Sequence, residues 1–262
     1  MNETLRTIHS LRTIHGDFSS REIADEDLQL ILDACVRAAN ASARQSYSIV
    51  VVKDSELMKK LCGYAGSRAL VFCVDYNRLV DTAQHLGHSF TANGIVPFVT
   101  GSTDAILAAQ TAAIAARSLG IDSLFTNGIH RGNMARVYEL LDLPAQYCFP
   151  LIMLVLGYPA TEPDYSKGRL NGPGVVHYGK YHRVTAQELG ELVQQYDDPE
   201  RHLGLNDDWG QRGFDHYLDW FYTVWSARGG KSGVKSQMFE ILEQVEFLEN
   251  DKQDSQVKKG ST

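Results

Sequence analysis

Two short segments of the chain carry cations at spacings suited to a phosphate group. In "SKGRL", Lys167 and Arg169 flank one glycine, so two positive side chains can grip an anion while the backbone bends around it. In "LRTIHGDF", Arg12 offers a planar guanidinium fork, and Thr13 and His15 add hydrogen-bond donors nearby. Both segments are also compatible with solvated surface charges, so neither identifies a phosphate site by itself.

Two further segments combine small and polar residues at junctions between predicted elements. "NASARQS" joins a helix-like run to a strand, and its small side chains let a ligand approach the backbone. "FTNGIHRGN" follows a short strand, a position where ligands bind in many α/β folds. The candidate residues are Asn40, Ala41 and Ser42 in the first segment and Thr126, Asn127 and Gly128 in the second. Either segment is equally compatible with a simple polar turn.

The sequence lacks the signatures of several other kinds of site. It has no GxSxG or P-loop, and no strand is followed by GxGxxG. His177 and His182 have no carboxylate or thiol pattern that fits a metal site. The net charge of −7 argues against general nucleic-acid binding, which needs basic surface.

Length and composition predict a soluble protein with a sizeable core. The chain has 262 residues, 44% of them hydrophobic, and its four cysteines form no CxxC pair, which predicts buried, reduced thiols. The segment "MNETLRTIHSLRTIHGDF" has no signal-peptide apolar region, and no uncharged apolar run approaches the ~20 residues of a membrane span. These features predict a cytoplasmic protein with no membrane partner.

Helices and strands alternate through the first 160 or so residues. Helices are predicted over "ADEDLQLILDACVRAA", with Asp25 as N-cap, and over "STDAILAAQTAAIAARSLG", capped by Ser-Thr-Asp and ended by Gly120. Strands are predicted over "SIVVV", "ALVFCVDY", "SLFT" and "CFPLIMLVLGY". A long Pro-, Gly- and Tyr-rich loop follows Gly157, and the rest is mostly helical. This order predicts an α/β or α+β fold with a helical C-terminal extension.

Taken in their order, these segments resemble the nitroreductase family of flavin enzymes. The resemblance is carried by "RTIH", the Ala-rich helix with "AAQ" and "LG", "ELLDLP", "PLIMLVLGYPA", "KGRL" and "VVHYGKY". It covers residues 5–185 well and the later helices loosely. "VFCVDYNRL" and "KGRL" are most similar to the larger NADPH-dependent group of the family.

The resemblance implies an α+β fold, with a mixed central sheet wrapped by helices, in an intertwined homodimer that binds FMN at two interface sites. The Ala-rich helix is expected in that interface. Residues 1–184 would form the FMN-binding core, residues 185–248 a helical extension of the same domain, and residues 249–262 a disordered tail.

The resemblance also implies roles for the candidate residues. The phosphate and ribityl end of FMN would be held by Arg12, Thr13, His15, Lys167 and Arg169. The flavin ring would be lined by Asn40, Ala41 and Ser42, and from another strand end by Thr126, Asn127 and Gly128. No metal is implied.

Three departures from the family pattern bear on the cofactor. His15 stands where the larger group usually has a second phosphate-binding arginine, and an imidazole is only partly charged near neutral pH, so FMN binding is expected to be weaker or pH-dependent. Asn127 replaces a usual glycine. "CGYAGSRALVF" is shorter than the family's corresponding stretch, where a Gln and a Tyr contact the cofactor, and Tyr64 is a candidate for that tyrosine.

The implied function is that of an oxidoreductase whose chemistry takes place at N5 of FMN rather than on a catalytic side chain. Hydride from NADPH or NADH would pass through FMN to a nitroaromatic, quinone or flavin acceptor by a ping-pong mechanism. Two alternatives remain open. One is another flavoenzyme of the superfamily, of the dehalogenase or flavin-destructase type, and the other is a non-catalytic flavin-binding protein.

Overall fold

The computed structural model describes residues 1–228 and 237–248. The described chain forms two compact units: residues 1–162 together with 237–248, and residues 163–228. The helical extension predicted from residue 185 therefore divides between the two units, and its assignment to the same domain as the core stays a prediction. The tail predicted at 249–262 lies outside the described residues.

A four-stranded sheet forms the centre of the first unit, with strand order β1-β2-β4-β3. The strands are β1 (Tyr47–Val52), β2 (Arg68–Asp75), β3 (Asp122–Thr126) and β4 (Cys148–Gly157). All three neighbouring pairs are antiparallel, and a parallel contribution comes from an isolated bridge between Thr13 and Ser123. Strands β1 and β3 are thus the two edge strands of the sheet.

Helices cover both faces of this sheet, which confirms the α+β prediction. The first six helices are α1 (Glu3–His9), α2 (Asp25–Cys35), α3 (Ser55–Cys62), α4 (Asn77–His85), α5 (Ile95–Ser118) and α6 (Met134–Leu141). Helices α2 and α5 pack on one face with Leu70 and Phe72, while α3 and α6 pack on the other with Val71 and Cys73. This alternation along β2 explains why the strand is apolar from Ala69 to Val74: both of its faces are buried there.

The second unit has the predicted loop and helices. Two helices are α7 (Ala186–Asp197), which begins with a capping box at Thr185 and Glu188, and α8 (Tyr217–Trp220), which continues as π-helix over Phe221–Trp225. A last helix, α9 (Gln237–Gln244), belongs to the first unit, where Ile241 and Leu242 are buried in the core.

Helix α5 differs from its prediction at the N-terminus. The sequence places a Ser-Thr-Asp cap at residues 102–104, but the helix begins at Ile95, and Asp104 is buried in its interior. The proline at 97 is tolerated because it lies in the first turn, where amide groups have no intrahelical partner. The helix ends at Ser118 with Leu119 as its C-cap, and the φ of 75° at the next residue, Gly120, confirms the predicted C-terminal glycine. No helix in the described ranges is long and apolar enough to cross a membrane.

The start of α2 differs from its prediction by one residue. Asp25 is the first residue of α2 rather than its N-cap, a position held by Ala24, and acidic residues fill the first turn, where they complement the helix dipole. All four cysteines are buried and free, as predicted. Burial raises the pKa of Cys35 to about 12, so this thiol stays protonated at neutral pH.

Candidate functional site

The segment between α2 and β1 is strained. Ser42, Ala43 and Gln45 have φ angles of 54°, 55° and 49°, in the left-handed region that residues other than glycine rarely adopt. Each such residue costs about 1–3 kcal/mol and persists only where surrounding contacts hold it. Strain of this kind concentrates at ligand sites, which makes the segment a stronger candidate than its sequence alone suggests.

Specific hydrogen bonds hold this segment in place. The buried carboxylate of Asp104, on α5, accepts from the backbone amides of Ala41 at 2.8 Å and Ser46 at 3.1 Å. The side-chain oxygen of Asn40 accepts from the amide of Gln45 at 3.2 Å and closes the turn. Asn40 therefore shapes the segment itself, while the Ser42 side chain is exposed.

The N-terminal segment lies along the other edge of the sheet. Thr13 pairs with Ser123 of β3, and the side chains of Thr13 and His15 are exposed. Gly16 has a φ of 83°, and a Cβ there would lie 2.9 Å from the ring of Tyr64. Tyr64, the candidate for the family's tyrosine contact, therefore packs directly beside the segment that carries Thr13 and His15.

Arg12 is not a free cation. Its guanidinium donates to both carboxylate oxygens of buried Asp122, at 3.0 and 2.7 Å, and to the exposed Glu162. Arg117 also donates to Asp122, at 2.8 Å. These bonds, first to Asp122 and then to Glu162, raise the pKa of Arg12 above its usual value, and the bond from Arg12 lowers the pKa of Glu162. Two arginines and two carboxylates form a formally neutral cluster.

The turn after β3 is closely packed. The amide of Gly128 donates to the hydroxyl of Thr126 at 2.9 Å, and a Cβ on Gly128 would lie 2.4 Å from the carbonyl oxygen of Cys62. Glycine is therefore required here by the close approach of the end of α3. Asn127 is exposed and is the residue through which this turn can reach a ligand.

The structure does not bring all the candidates of the first unit together. The segment Asn40–Ser42 leads into β1 and the turn Thr126–Gly128 leaves β3, and these are opposite edge strands. Three interstrand spacings of about 4.8 Å separate these edges by roughly 14 Å. Within one chain, the N-terminal segment, Tyr64 and the 126–128 turn lie toward one edge of the sheet, and the strained segment lies at the other.

The remaining cations belong to the second unit. The ammonium of Lys167 donates to the carbonyl of Gly204 at 2.6 Å, and Arg169 donates to the carbonyls of Lys167 and Gly168 at 3.1 and 2.7 Å. A Cβ on Gly168 would lie 2.2 Å from the carbonyl oxygen of Arg201, so this glycine permits a close backbone contact rather than a left-handed bend. An ammonium has three donors and a guanidinium five, so both cations keep donors for a phosphate.

Comparison with known proteins identifies the family. Residues 9–158 match the model of the Nitroreductase family. The chain is 33% identical to an NAD(P)H-dependent FMN reductase of Bacillus subtilis, over 76% of this chain and 81% of that protein. It is 34% identical to an NADPH-flavin oxidoreductase of Vibrio harveyi, over 75% and 80%. The chain belongs to the nitroreductase family.

Solved structures agree with this membership. Bacillus megaterium NfrA2 is 29% identical to this nitroreductase-family protein, with a TM-score of 0.73 over 95% of this chain and all of that one. The Vibrio harveyi NADPH:FMN oxidoreductase, solved with NAD⁺, is 25% identical, with a TM-score of 0.75 over the same shares. The α+β nitroreductase fold predicted from the resemblance is confirmed, and the intertwined homodimer stays a prediction.

The donor set of this nitroreductase fits FMN. In the first unit, the exposed hydroxyl of Thr13 and imidazole of His15 suit a phosphate or a ribityl chain. In the second unit, taken by itself, the exposed cations Lys167 and Arg169 suit a phosphate. The strained segment offers backbone and hydroxyl groups suited to the polar edge of a flavin ring. No group of three or more acidic, His or Cys side chains that could hold a metal ion occurs among the described residues.

Sequence reasoning missed Asp104, Asp122 and Glu162. The sequence pattern predicts a helix-cap role for Asp104, and none of the candidate segments includes Asp122 or Glu162. The available signal was weak: an Asp inside an Ala-rich helix and an Asp that opens an apolar strand are each polar residues in apolar surroundings. A buried carboxylate in such a position needs a partner, and here each has found one far away in the sequence.

Proposed function

We propose that this protein is an FMN-dependent oxidoreductase that passes hydride from NADPH or NADH to a small electron acceptor. The observation that carries the proposal is the similarity to flavin reductases over about three quarters of this chain, which keeps polar, exposed groups at all four candidate segments. Nitroaromatics, quinones and free flavin are the proposed acceptors, with ping-pong turnover in the cytoplasm.

The phosphate of FMN is proposed to bind Lys167 and Arg169, with Thr13, His15 and Arg12 at the phosphate and ribityl end. Charge balance limits the part that Arg12 plays, because Asp122 and Glu162 already neutralise it and Arg117. Arg12 can stabilise a bound phosphate dianion only when Glu162 moves away. That motion is feasible because the Glu162 side chain is 71% exposed.

The flavin ring is proposed to lie between the strained segment, with Asn40, Ala41 and Ser42, and the turn with Thr126, Asn127 and Gly128. These two segments belong to opposite edges of the sheet in one chain. A single ring can contact both when each comes from a different protomer. The proposed assembly is therefore a homodimer with two equivalent sites, because a two-fold axis creates every such contact twice.

Helix α5 offers an apolar surface for this dimer. Its exposed face carries Ile95, Val96, Val99, Ile106 and Leu107, which are 41–71% exposed. The opposite face, with its alanines, is buried against the sheet and α2. An exposed row of large aliphatic side chains on a long central helix is typical of an interface.

When bound, FMN supplies a ring that takes up hydride from NAD(P)H and releases electrons to the acceptor. The chain's own part is to hold the phosphate with cations, to aim backbone and hydroxyl donors at the ring edge, and to cover one ring face so that substrates share the other. Either Arg201 or Arg212 is proposed to bind the 2′-phosphate of NADPH, although they pair with Asp198 and Asp208, respectively.

The absorbance spectrum of the purified protein tests this proposal. A yellow protein with flavin bands that bleach on anaerobic addition of NADPH or NADH is the expected result, and the nucleotide that bleaches it faster is the donor. A colourless protein that also fails to take up added FMN would contradict the proposal. A flavin that binds but is reduced by neither nucleotide would favour the non-catalytic binding protein.

Removing the carboxylate of Glu162 is expected to strengthen FMN binding. In Glu162→Gln, Arg12 no longer has an exposed anion that competes with the phosphate. Because the exposed ion pair contributes little, the dissociation constant of FMN is expected to fall about two- to fivefold. Titration of apoprotein with FMN, followed by flavin fluorescence, measures this change.

Glu139→Gln is the matched control, since Glu139 also pairs with an arginine at the surface and its replacement changes the net charge equally. FMN affinity in this control should match the wild type. An unchanged or weaker affinity in Glu162→Gln would show that Arg12 takes no part in phosphate binding.

A further inference from the structure

The strained segment Asn40–Ser46 is held by two charged side chains that sequence reasoning did not connect with it. Asp104 accepts from the amides of Ala41 and Ser46. On the other side, Arg78, at the start of α4, donates through Nη2 to the carbonyls of Arg44 and Gln45, both at 2.7 Å. An anion thus binds the N–H groups of the segment and a cation binds its carbonyls.

These contacts act on the residues whose backbone conformations are least favourable. Ser42 and Ala43 lie between the two amides that Asp104 binds, and Gln45 is bound by Arg78 directly. A free chain would leave the left-handed region at these positions, since side chains clash with the backbone there. Hydrogen bonds to charged groups are stronger than neutral ones, and Asp104 is 1% exposed, so little water competes with it.

Neighbouring contacts support the same geometry. The carbonyl of Ser46 accepts from the amide of Asp75 at 3.1 Å and fixes the end of the segment to β2. A Cβ on Gly101, one helical turn before Asp104, would lie 3.0 Å from that same carbonyl oxygen. Helix α5 therefore approaches the segment closely enough for the short Asp104 side chain to reach two of its amides.

We infer that Asp104 and Arg78 are positioning residues of the flavin site: together they hold the segment Asn40–Ser46 in the conformation that presents its backbone and the Ser42 hydroxyl to the ring. This inference rests on the proposed function for the identity of the ligand. Neither side chain needs to touch the flavin, and the effect of each passes through the segment.

The test uses two variants that weaken the two sides of the segment separately. Asp104→Asn keeps the shape of the side chain but turns an amide group toward one of the two backbone N–H groups. Arg78→Met removes the carbonyl contacts at an exposed position, where loss of the fold is not expected. Arg78→Lys restores a cation that can reach the same carbonyls. Ser102→Ala is the matched control, because this buried hydroxyl lies on α5 near Asp104, outside the segment, and has no hydrogen-bond partner within the described residues.

Three measurements are made on each protein. Hydrogen–deuterium exchange of the apoprotein reports the protection of the Ala41 and Ser46 amides. Titration gives the FMN dissociation constant, and spectroelectrochemistry gives the midpoint potential of the bound flavin. In Asp104→Asn, the hydrogens of these amides are expected to exchange at least tenfold faster than in the wild type. This variant is also expected to bind FMN ten- to a hundredfold more weakly. Its flavin potential should also shift, a change that loss of global stability alone would not produce.

Arg78→Met should change all three quantities in the same direction, and Arg78→Lys should recover part of each. Ser102→Ala should match the wild type. Unchanged FMN affinity and potential in Asp104→Asn and Arg78→Met, with wild type binding FMN normally, would overturn the inference, whatever happens to exchange. Failure of the wild type to bind FMN would instead overturn the proposed function on which the inference rests.

Discussion

The double variant Val99→Glu, Ile106→Glu is expected to be a monomer that has lost its flavin. These side chains lie two turns apart on the same exposed face of α5 and are 56% and 51% exposed. In the proposed dimer, each substitution buries an unpaired carboxylate in an apolar interface, at a cost of several kcal/mol. Because the interface contains each position twice, the dissociation constant of the dimer should rise by at least about a thousandfold.

Loss of flavin is the more informative part of this result. The strained segment and the 126–128 turn lie at opposite edges of one sheet, so a monomer offers the ring only half of its contacts. Light scattering at micromolar concentration, together with the absorbance ratio of flavin to protein, measures both effects on one sample. Circular dichroism should show an unchanged fold, since neither side chain is part of the core.

Leu30→Glu combined with Leu86→Glu is the control, because these leucines are 55% and 69% exposed and lie away from α5, on α2 and at the C-cap of α4. The control should remain dimeric and yellow. A Val99→Glu, Ile106→Glu protein that stays dimeric would exclude this face of α5 from the interface. A monomer that binds FMN with unchanged affinity would show that the site lies within a single chain.

The sequence predicts the elements of the fold more fully than their ends. Strand β2 is apolar from Ala69 to Val74 and flanked by predicted helices, so its burial on both faces can be predicted from composition alone. The start of α5 cannot. Ser and Thr favour helix caps, yet the hydroxyls of Thr100 and Thr103 donate to the carbonyls of Val96 and Val99 within the helix.

The sequence predicts which types of residue the candidate site contains, but not which partners those residues contact. A resemblance suggests that Arg12 binds phosphate, whereas its nearest anions are carboxylates 110 and 150 positions away in the chain. The role of Asp104 depends in the same way on amides 63 and 58 positions earlier. Local patterns record which groups are available, and only the fold decides which of them already have partners.

Neutralising Lys167 and Arg169 is expected to remove FMN from an otherwise folded protein. Lys167→Gln keeps a donor for the carbonyl of Gly204, so the turn is preserved while the charge is lost, and Arg169→Gln keeps donors near the carbonyls that Arg169 now reaches. Each charge-assisted hydrogen bond to a phosphate contributes about 1.5–3 kcal/mol. Because both side chains are exposed, the lower figure applies, and the double variant should bind FMN about a hundredfold more weakly.

The salt dependence of binding separates phosphate recognition from a general loss of affinity. FMN affinity of the wild type should fall as ionic strength rises, since exposed cations are screened, and the double variant should lose most of this dependence. Lys180→Gln with Arg183→Gln, also exposed in the second unit, changes the net charge equally and should keep the wild-type affinity and salt dependence. If the Lys167 and Arg169 variant binds FMN as tightly as the wild type, these cations do not hold the phosphate. Thr13, His15 and Arg12 would then have to hold it, and for Arg12 that is possible only at the expense of the ion pair with Glu162.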